Sequence, residues 1–221
     1  MRSDPRTALR RLYRQVTPME LTQTQVREYD RRATERDETE TATFGVGCFW
    51  GPDAQFGAME GVVRTRAGYA GGTKRDPTYH SLGDHTEVVQ VDFDPERTTY
   101  RDVLERVFAS HDPRRQTRKT QYQNVVLAES AAQWETIDEF LAGRGLTADG
   151  IDTRVEQLSR FYPAEDYHQK YKLRSASSLV DAFDAAGYGD EDLRESPLAA
   201  KLNGYAAGHD ADIAEALPAS E

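Results

Sequence analysis

The alternation of apolar and polar positions lays out most of the chain. Thr41 to Val46 reads as a short strand, and Val62-Val63 starts another that runs into the glycine-rich turns of Gly68-Tyr-Ala-Gly-Gly72. From Glu87 to Phe93 the period is two: Val89, Val91 and Phe93 face one way and Val88, Gln90 and Asp92 the other, so a strand closed by Asp94-Pro95 is expected. Residues 98–110 change to the helical period, with Tyr100, Val103, Leu104, Val107 and Phe108 in one stripe opposite charged neighbours. A strand at Tyr122 to Ala128 leads to a second amphipathic helix, capped by Ser130, burying Trp134, Ile137, Phe140 and Leu141, and stopped by Gly143. Thr153 to Leu158 reads as another strand, and Pro163 as the opening of a helix through Tyr171. Two more helical segments, Ser178 to Ala186 and Ser196-Pro197 to Asn203, end at Gly187 and Gly204.

Few helices lie between the strands. That favours a two-layer α+β domain, with helices over one mixed sheet, against a doubly wound nucleotide fold. Three stretches are expected: a charged N-terminal arm at 1–40, the α+β domain at 41–174, and a helical C-terminal extension at 175–221 with a frayed end. In the arm, Leu9, Leu12, Tyr13 and Val16 would line one face of a short helix. A basic amphipathic start also suits a transit peptide, but acidic residues soon follow and favour a solvated arm.

Charge and cysteine content narrow the function classes. A net charge of −10 argues against nucleic acid and anionic membranes as partners, because a polyanion is repelled over much of the surface. The predominance of Arg over Lys among the cations, with abundant Asp and Glu, fits ordinary solubility and a salt-adapted cytoplasm alike. No apolar run is long enough to span a bilayer and no secretory core opens the chain, so a cytoplasmic monomer is expected. The single cysteine, Cys48, cannot form an internal disulfide and suits a reducing compartment. The histidines at 80, 85, 111, 168 and 209 lack ligand spacing, and the glycine run lacks a phosphate-loop ending, so neither metal nor organic cofactor is expected.

Cys48 is the residue with chemistry to offer. It sits in Gly47-Cys-Phe-Trp-Gly51, between the first strand and a helix expected over Pro52 to Met59. Unpaired N–H groups at a helix start would favour its thiolate and make it nucleophilic near neutral pH.

That motif is followed in order by Gly68-Tyr-Ala-Gly-Gly72, Pro77-Thr-Tyr79, His85-Thr-Glu87-Val-Val, Phe93-Asp-Pro95, His111-Asp-Pro113, Gln121-Tyr122 and Ala164-Glu-Asp-Tyr-His-Gln169. Together these strings resemble peptide methionine sulfoxide reductases of the A type over roughly residues 42 to 173. The resemblance implies a ferredoxin-like core and reduction of the S epimer of methionine sulfoxide, free or in oxidised proteins. It implies Cys48 as nucleophile, Phe49 and Trp50 as the cage of the substrate's methyl group, and Glu87 as the acid at the sulfoxide oxygen. Tyr79 and Tyr122 would assist at the same oxygen. Cys48 would be left as a sulfenic acid.

The chain also departs from the pattern. Later cysteines that would resolve the sulfenic acid are missing, so an external thiol, from a thioredoxin-like protein or a small molecule, has to do so. An aspartate of the family's site has no counterpart; Arg114-Arg-Gln-Thr-Arg-Lys119 stands there instead. A non-catalytic relative that binds oxidised methionine in partner proteins is the alternative which that loss keeps open.

Overall fold

Six strands pair into one sheet in a computed structural model of the chain, which describes residues 21–33, 35–211 and 213. The apolar helix expected around Leu9 to Val16 lies outside the described residues. The strands are β1 (Glu40–Val46), β2 (Val62–Ala70), β3 (Thr86–Phe93), β4 (Asn124–Ala128), β5 (Arg154–Gln157) and β6 (Tyr162–Pro163), in the spatial order β5-β4-β1-β3-β2-β6. β1 is antiparallel to β3 and β4, and β2 to β3 and β6, whereas β4 and β5 run parallel. The inner four strands with their crossover helices are the split βαβ arrangement of a ferredoxin-like core.

Three helices cover one face: α2 (Trp50–Gly57), α3 (Tyr100–Ala109) and α4 (Ala131–Ala142), numbered after an N-terminal α1 (Gln23–Arg32). The period-two reading of β3 holds, since Val89, Val91 and Phe93 join Phe44, Val103, Leu104, Ile137 and Phe140 in the main core. Val88 points the other way, to Ala70, Val125 and Leu127. The helix over 98–110 starts at a capping box, Thr99 and Asp102 satisfying each other's backbone N–H, and Ser130 caps α4 as expected.

Four local expectations fail for identifiable reasons. Pro163 does not open a helix: it pairs with Gly68 at the sheet edge, where a missing N–H costs no ladder bond. The Gln169 side chain then continues that edge, accepting from Ala67 N–H at 3.0 Å and donating to the carbonyls of Ala67 and Ala164 at 2.8 and 2.9 Å. Tyr122 is not in β4 but in a single tight turn, Thr120–Tyr122, before it. Gly204 does not stop its helix; it lies within it, where an added Cβ would come 2.6 Å from the Ala54 carbonyl. The helix after Cys48 begins at Trp50, two residues before Pro52.

Beyond the sheet stand α5 (Tyr171–Arg174), α6 (Ser177–Ala185), α7 (Asp190–Glu195, which its charged sequence conceals) and α8 (Pro197–Ala206). With Val26 of α1 they enclose a second apolar cluster built on Leu173, Phe183, Leu193, Leu198 and Leu202. α8 lies directly against α2: the Ala200 carbonyl would be 2.2 Å from a Cβ on Gly57, so only glycine permits the approach.

Between these layers sits a fully buried polar cluster. Asp53 of α2 accepts from the Thr65 hydroxyl, from Asn203 Nδ2 at 2.9 Å and from Lys170 N–H at 3.2 Å, and its Oδ1 lies 3.5 Å from Lys170 Nζ. The Lys170 ammonium also donates to the Thr65 carbonyl. Asn203 Oδ1 in turn accepts the N–H groups of Lys172 and Leu173 at 3.0 Å each. Removing one member of a buried ion pair strands the other, typically at about 3–5 kcal/mol. Asp53→Ala is therefore expected to lose about that much in denaturant unfolding, and Asp53→Ala with Lys170→Met to recover a large part of it. A loss below about 1 kcal/mol for the single variant would show that the cluster is not what joins the layers.

Candidate active site

β1 ends at Val46 and the chain turns at Gly47, whose φ of +88° a side chain would strain although nothing crowds the position. Cys48 follows and is exposed, and the Trp50 N–H at the start of α2 points to its sulfur. β3 runs beside β1, and a Cβ on Gly45 would come 2.6 Å from the Glu87 carbonyl. Glu87 projects to the helix-covered side, as Val89 and Val91 do, and its carboxyl reaches the Cys48 turn.

Glu87 is 1% exposed. Its Oε2 accepts from Phe49 N–H at 3.1 Å, its Oε1 from Gln121 Nε2 at 2.6 Å, and it shares a hydrogen bond with the Cys48 thiol. Burial raises its pKa above the ordinary carboxylate value, and these donors together with the charge of Lys119 only partly oppose it. Cys48 moves the same way. Desolvation among its neighbours pushes the thiol up, the Trp50 N–H pulls it down, and the charge and hydrogen bond of Glu87 push it up again. The expected helix-start activation is thus present but outweighed, and the resting Cys48 is held as a thiol above its usual range. A carboxylate against a thiol favours keeping one proton between them.

The aromatic residues divide between wall and mouth. Phe49 is 1% exposed and packs on Tyr69 and His168, with centroids at 5.9 and 5.0 Å. Trp50 is half-buried, stacked on Tyr171 at 3.8 Å with an interplanar angle of 4°, and its Nε1 donates to His168 Nδ1 at 3.1 Å. Tyr79 and Tyr122 hydrogen bond to one another. Burial, this bond and the nearby Glu87 push the Tyr122 phenol up to about 12, so it stays a donor. Contacts link all six expected residues, Cys48, Phe49, Trp50, Tyr79, Glu87 and Tyr122, into one cluster, directly or through His168, with the exposed Cys48 at its mouth.

Several supporting groups hold these residues in place. Glu165 accepts from Tyr79 N–H at 2.9 Å and the Tyr69 hydroxyl at 2.7 Å, and lies 4.0 Å from His168 Nε2. Burial works to raise Glu165, but those two hydrogen bonds prevail and hold it below the ordinary carboxylate value. Burial lowers His168, which leaves a neutral ring with Nδ1 free to accept from Trp50. The strings Gln121-Tyr122 and Ala164 to Gln169 contained Gln121, Glu165 and His168, but spacing says nothing of which carboxyl meets which backbone. Among the described residues no group of three or more His, Cys, Asp or Glu could hold a metal ion.

A family model described as peptide methionine sulfoxide reductase matches residues 40–189. The chain belongs to the peptide methionine sulfoxide reductase family. The peptide methionine sulfoxide reductase A5 of Oryza sativa subsp. japonica is 39% identical over 181 residues, 76% of this chain and 68% of that relative. The peptide methionine sulfoxide reductase of Drosophila melanogaster is 38% identical over 171 residues, with the same shares. The structure of methionine sulfoxide reductase A of Corynebacterium diphtheriae aligns with a TM-score of 0.54 at 31% identity, covering 63% of this chain and 76% of that one. The family match runs past Arg174 through α6, which packs on α5 and α1, and ends before α8.

The Glu87–Cys48 contact predicts a pH signature. Glu87→Gln removes the charge opposing the thiolate and is expected to shift Cys48 alkylation by iodoacetamide to lower pH. A carboxyl whose folded pKa is raised binds its proton better folded than unfolded, so its presence costs stability as pH rises from its ordinary value through the raised one. Glu87→Gln should therefore melt higher than the parent at about pH 7, with the gap closing below about pH 4. An alkylation midpoint unmoved by the substitution would remove Glu87 as a contributor beside desolvation to keeping the thiol protonated.

Proposed function

We propose that this chain reduces methionine S-sulfoxide to methionine, with Cys48 as nucleophile, Glu87 as acid, Tyr79 and Tyr122 as donors to the sulfoxide oxygen, and Trp50 with Phe49 behind it as the apolar seat of the S-methyl group. The observation that carries the reading is the hydrogen bond between the buried Glu87 carboxyl and the exposed Cys48 thiol, in a setting that raises the pKa of both. A sulfoxide oxygen becomes basic as its sulfur is attacked, and needs a proton from a group that releases it only then. A carboxyl whose pKa is lifted by burial does so. Once Glu87 hands the proton to that oxygen, two phenol donors beside it stabilise the developing charge.

The electrons balance within the pair. The substrate sulfur gains two electrons and becomes the thioether of methionine, its S–O bond breaking, while the Cys48 sulfur loses two and carries the oxygen as a sulfenic acid. With Cys48 the only cysteine, an external thiol then forms a mixed disulfide with release of water, and a second thiol frees Cys48 as the first is oxidised to disulfide. The exposure of Cys48 supports direct access by such a thiol, from a thioredoxin-like protein or a small molecule. No organic or metal cofactor is needed for this cycle. Among the described residues no helix is long and apolar enough to cross a membrane.

A single-turnover experiment tests it. Reduced protein mixed with the S epimer and no thiol should release about one methionine per chain and leave Cys48 as sulfenic acid, trapped by dimedone, whereas the R epimer gives nothing. Cys48→Ser should release none, and Glu87→Gln should be slower by about 10²–10⁴-fold. Binding of the sulfoxide without methionine release from the parent protein would refute the reductase reading and favour a module that only binds oxidised methionine.

A further inference from the structure

The mouth of the site carries two cations. Lys119 comes from the loop before β4, its Nζ 4.4 Å from the centre of the Tyr122 ring, and Lys172 follows Tyr171, the residue stacked on Trp50. They reach the pocket from opposite segments. Both are exposed, and neither forms an ion pair among the described residues. Their charges are felt inside: Lys119 acts on Glu87 and Lys172 on Cys48.

We propose that Lys119 and Lys172 select a methionine sulfoxide bearing a carboxylate beside the oxidised side chain, as an acidic neighbour in a peptide or as the α-carboxylate of the free amino acid. The inference rests on the reductase reading and names the substrate class of that site. The chain has five lysines against 23 arginines, and the other three are occupied elsewhere. Lys170 lies in the core, Lys201 donates to the Met59 carbonyl at 2.6 Å, and Lys74 binds Ser81. In the Lys119 loop, Arg114, Arg115 and Arg118 are likewise exposed and without an ion pair among the described residues, as are Arg75, Arg106 and Arg160 elsewhere; what sets the loop apart is four cations within six residues, 114–119.

That clustering matters in a chain of net charge −10, where carboxylates outnumber cations. Cations left unpaired beside a pocket give a local positive field within a surface that otherwise repels anions. It reaches only about a Debye length, roughly 8–10 Å at moderate salt, so an anion feels it once its sulfoxide is at the mouth. An ammonium is a point charge with three rotatable donors, able to meet a carboxylate that arrives in more than one orientation.

The reducing thiol enters by the same mouth, so the test reads only the first turnover with no thiol added. Apparent second-order rate constants are compared for three S-sulfoxide peptides differing at one residue next to the sulfoxide, Asp, Ser or Lys, and for free methionine S-sulfoxide against its methyl ester. Asp is expected to exceed Ser, and Ser to exceed Lys, by about 2–5-fold per step, the range of one exposed charge pair, and the order should shrink at high salt. Lys119→Gln with Lys172→Gln should flatten it, while Lys74→Gln keeps it. A gain for the free amino acid over its ester without a peptide order locates the carboxylate in the free substrate. Equal rates across both series at low salt, or an order untouched by the double substitution, would overturn the inference. Methionine from none of the substrates would instead overturn the reductase reading itself.

Discussion

The Asp53 carboxylate is the contact on which the remaining structure depends. It sits on the first turn of the helix that follows Cys48, and every group it binds comes from a different part of the chain: Thr65 from β2, Lys170 from the segment entering α5, Asn203 from α8. A buried charge is tolerated only when its partners are complete. The sheet, the site helix and the C-terminal layer must therefore be in place together. Lys170 shows the strength of the demand, since it holds a left-handed backbone, φ +53°, unusual for a side chain this long, to present both its N–H and its ammonium to one carboxylate.

Two buried carboxyls on the same side of the sheet thus have opposite characters. Asp53 has a full set of donors and an ammonium, and anchors the fold. Glu87 has two good donors and a thiol, with the nearest lysine outside at the mouth, and burial wins over all of them. The difference is in the count and charge of partners. The acid role proposed for Glu87 is compatible with this arrangement, because a buried cation would hold the carboxyl ionised, and the stability lost at Glu87 is tolerable because Asp53 and the apolar core hold the surrounding backbone.

Much of this was legible in the residues because local rules and the fold agree. The alternation in β3 separated core from far face, the Ser130 cap marked its helix, and the Cys-Phe-Trp motif with its companions contained Cys48, Glu87 and the aromatic groups near them. What could not be read depends on distant partners. Pro163 looks like a helix start until Gly68 appears beside it, and Gly204 looks like a stop until Ala54 is found touching it. The thiol is the sharpest case. A helix start after Cys48 is visible in sequence and argues for thiolate, yet desolvation at the folded turn, joined by Glu87 from 39 positions away, reverses the balance through contacts no local pattern encodes.

The cations at the mouth complete this balance. A lysine bonded directly to Glu87 would hold it ionised and leave no proton for the sulfoxide oxygen, so a positive field at this pocket is compatible with acid chemistry only if the ammonium is kept off the carboxyl. The Tyr122 ring does this for Lys119, taking the ammonium on its face at 4.4 Å while the phenol keeps its own proton next to Tyr79. On the other side, Tyr171 stacked on Trp50 fixes the start of α5, and Asn203 holds the N–H groups of Lys172 and Leu173, so the second lysine stands on a backbone tied to the Asp53 cluster. The carboxylate that anchors the fold therefore also sets the position of the backbone that carries a charge to the mouth, which ties the C-terminal layer to the site although α6, α7 and α8 supply none of the five residues grouped with Cys48.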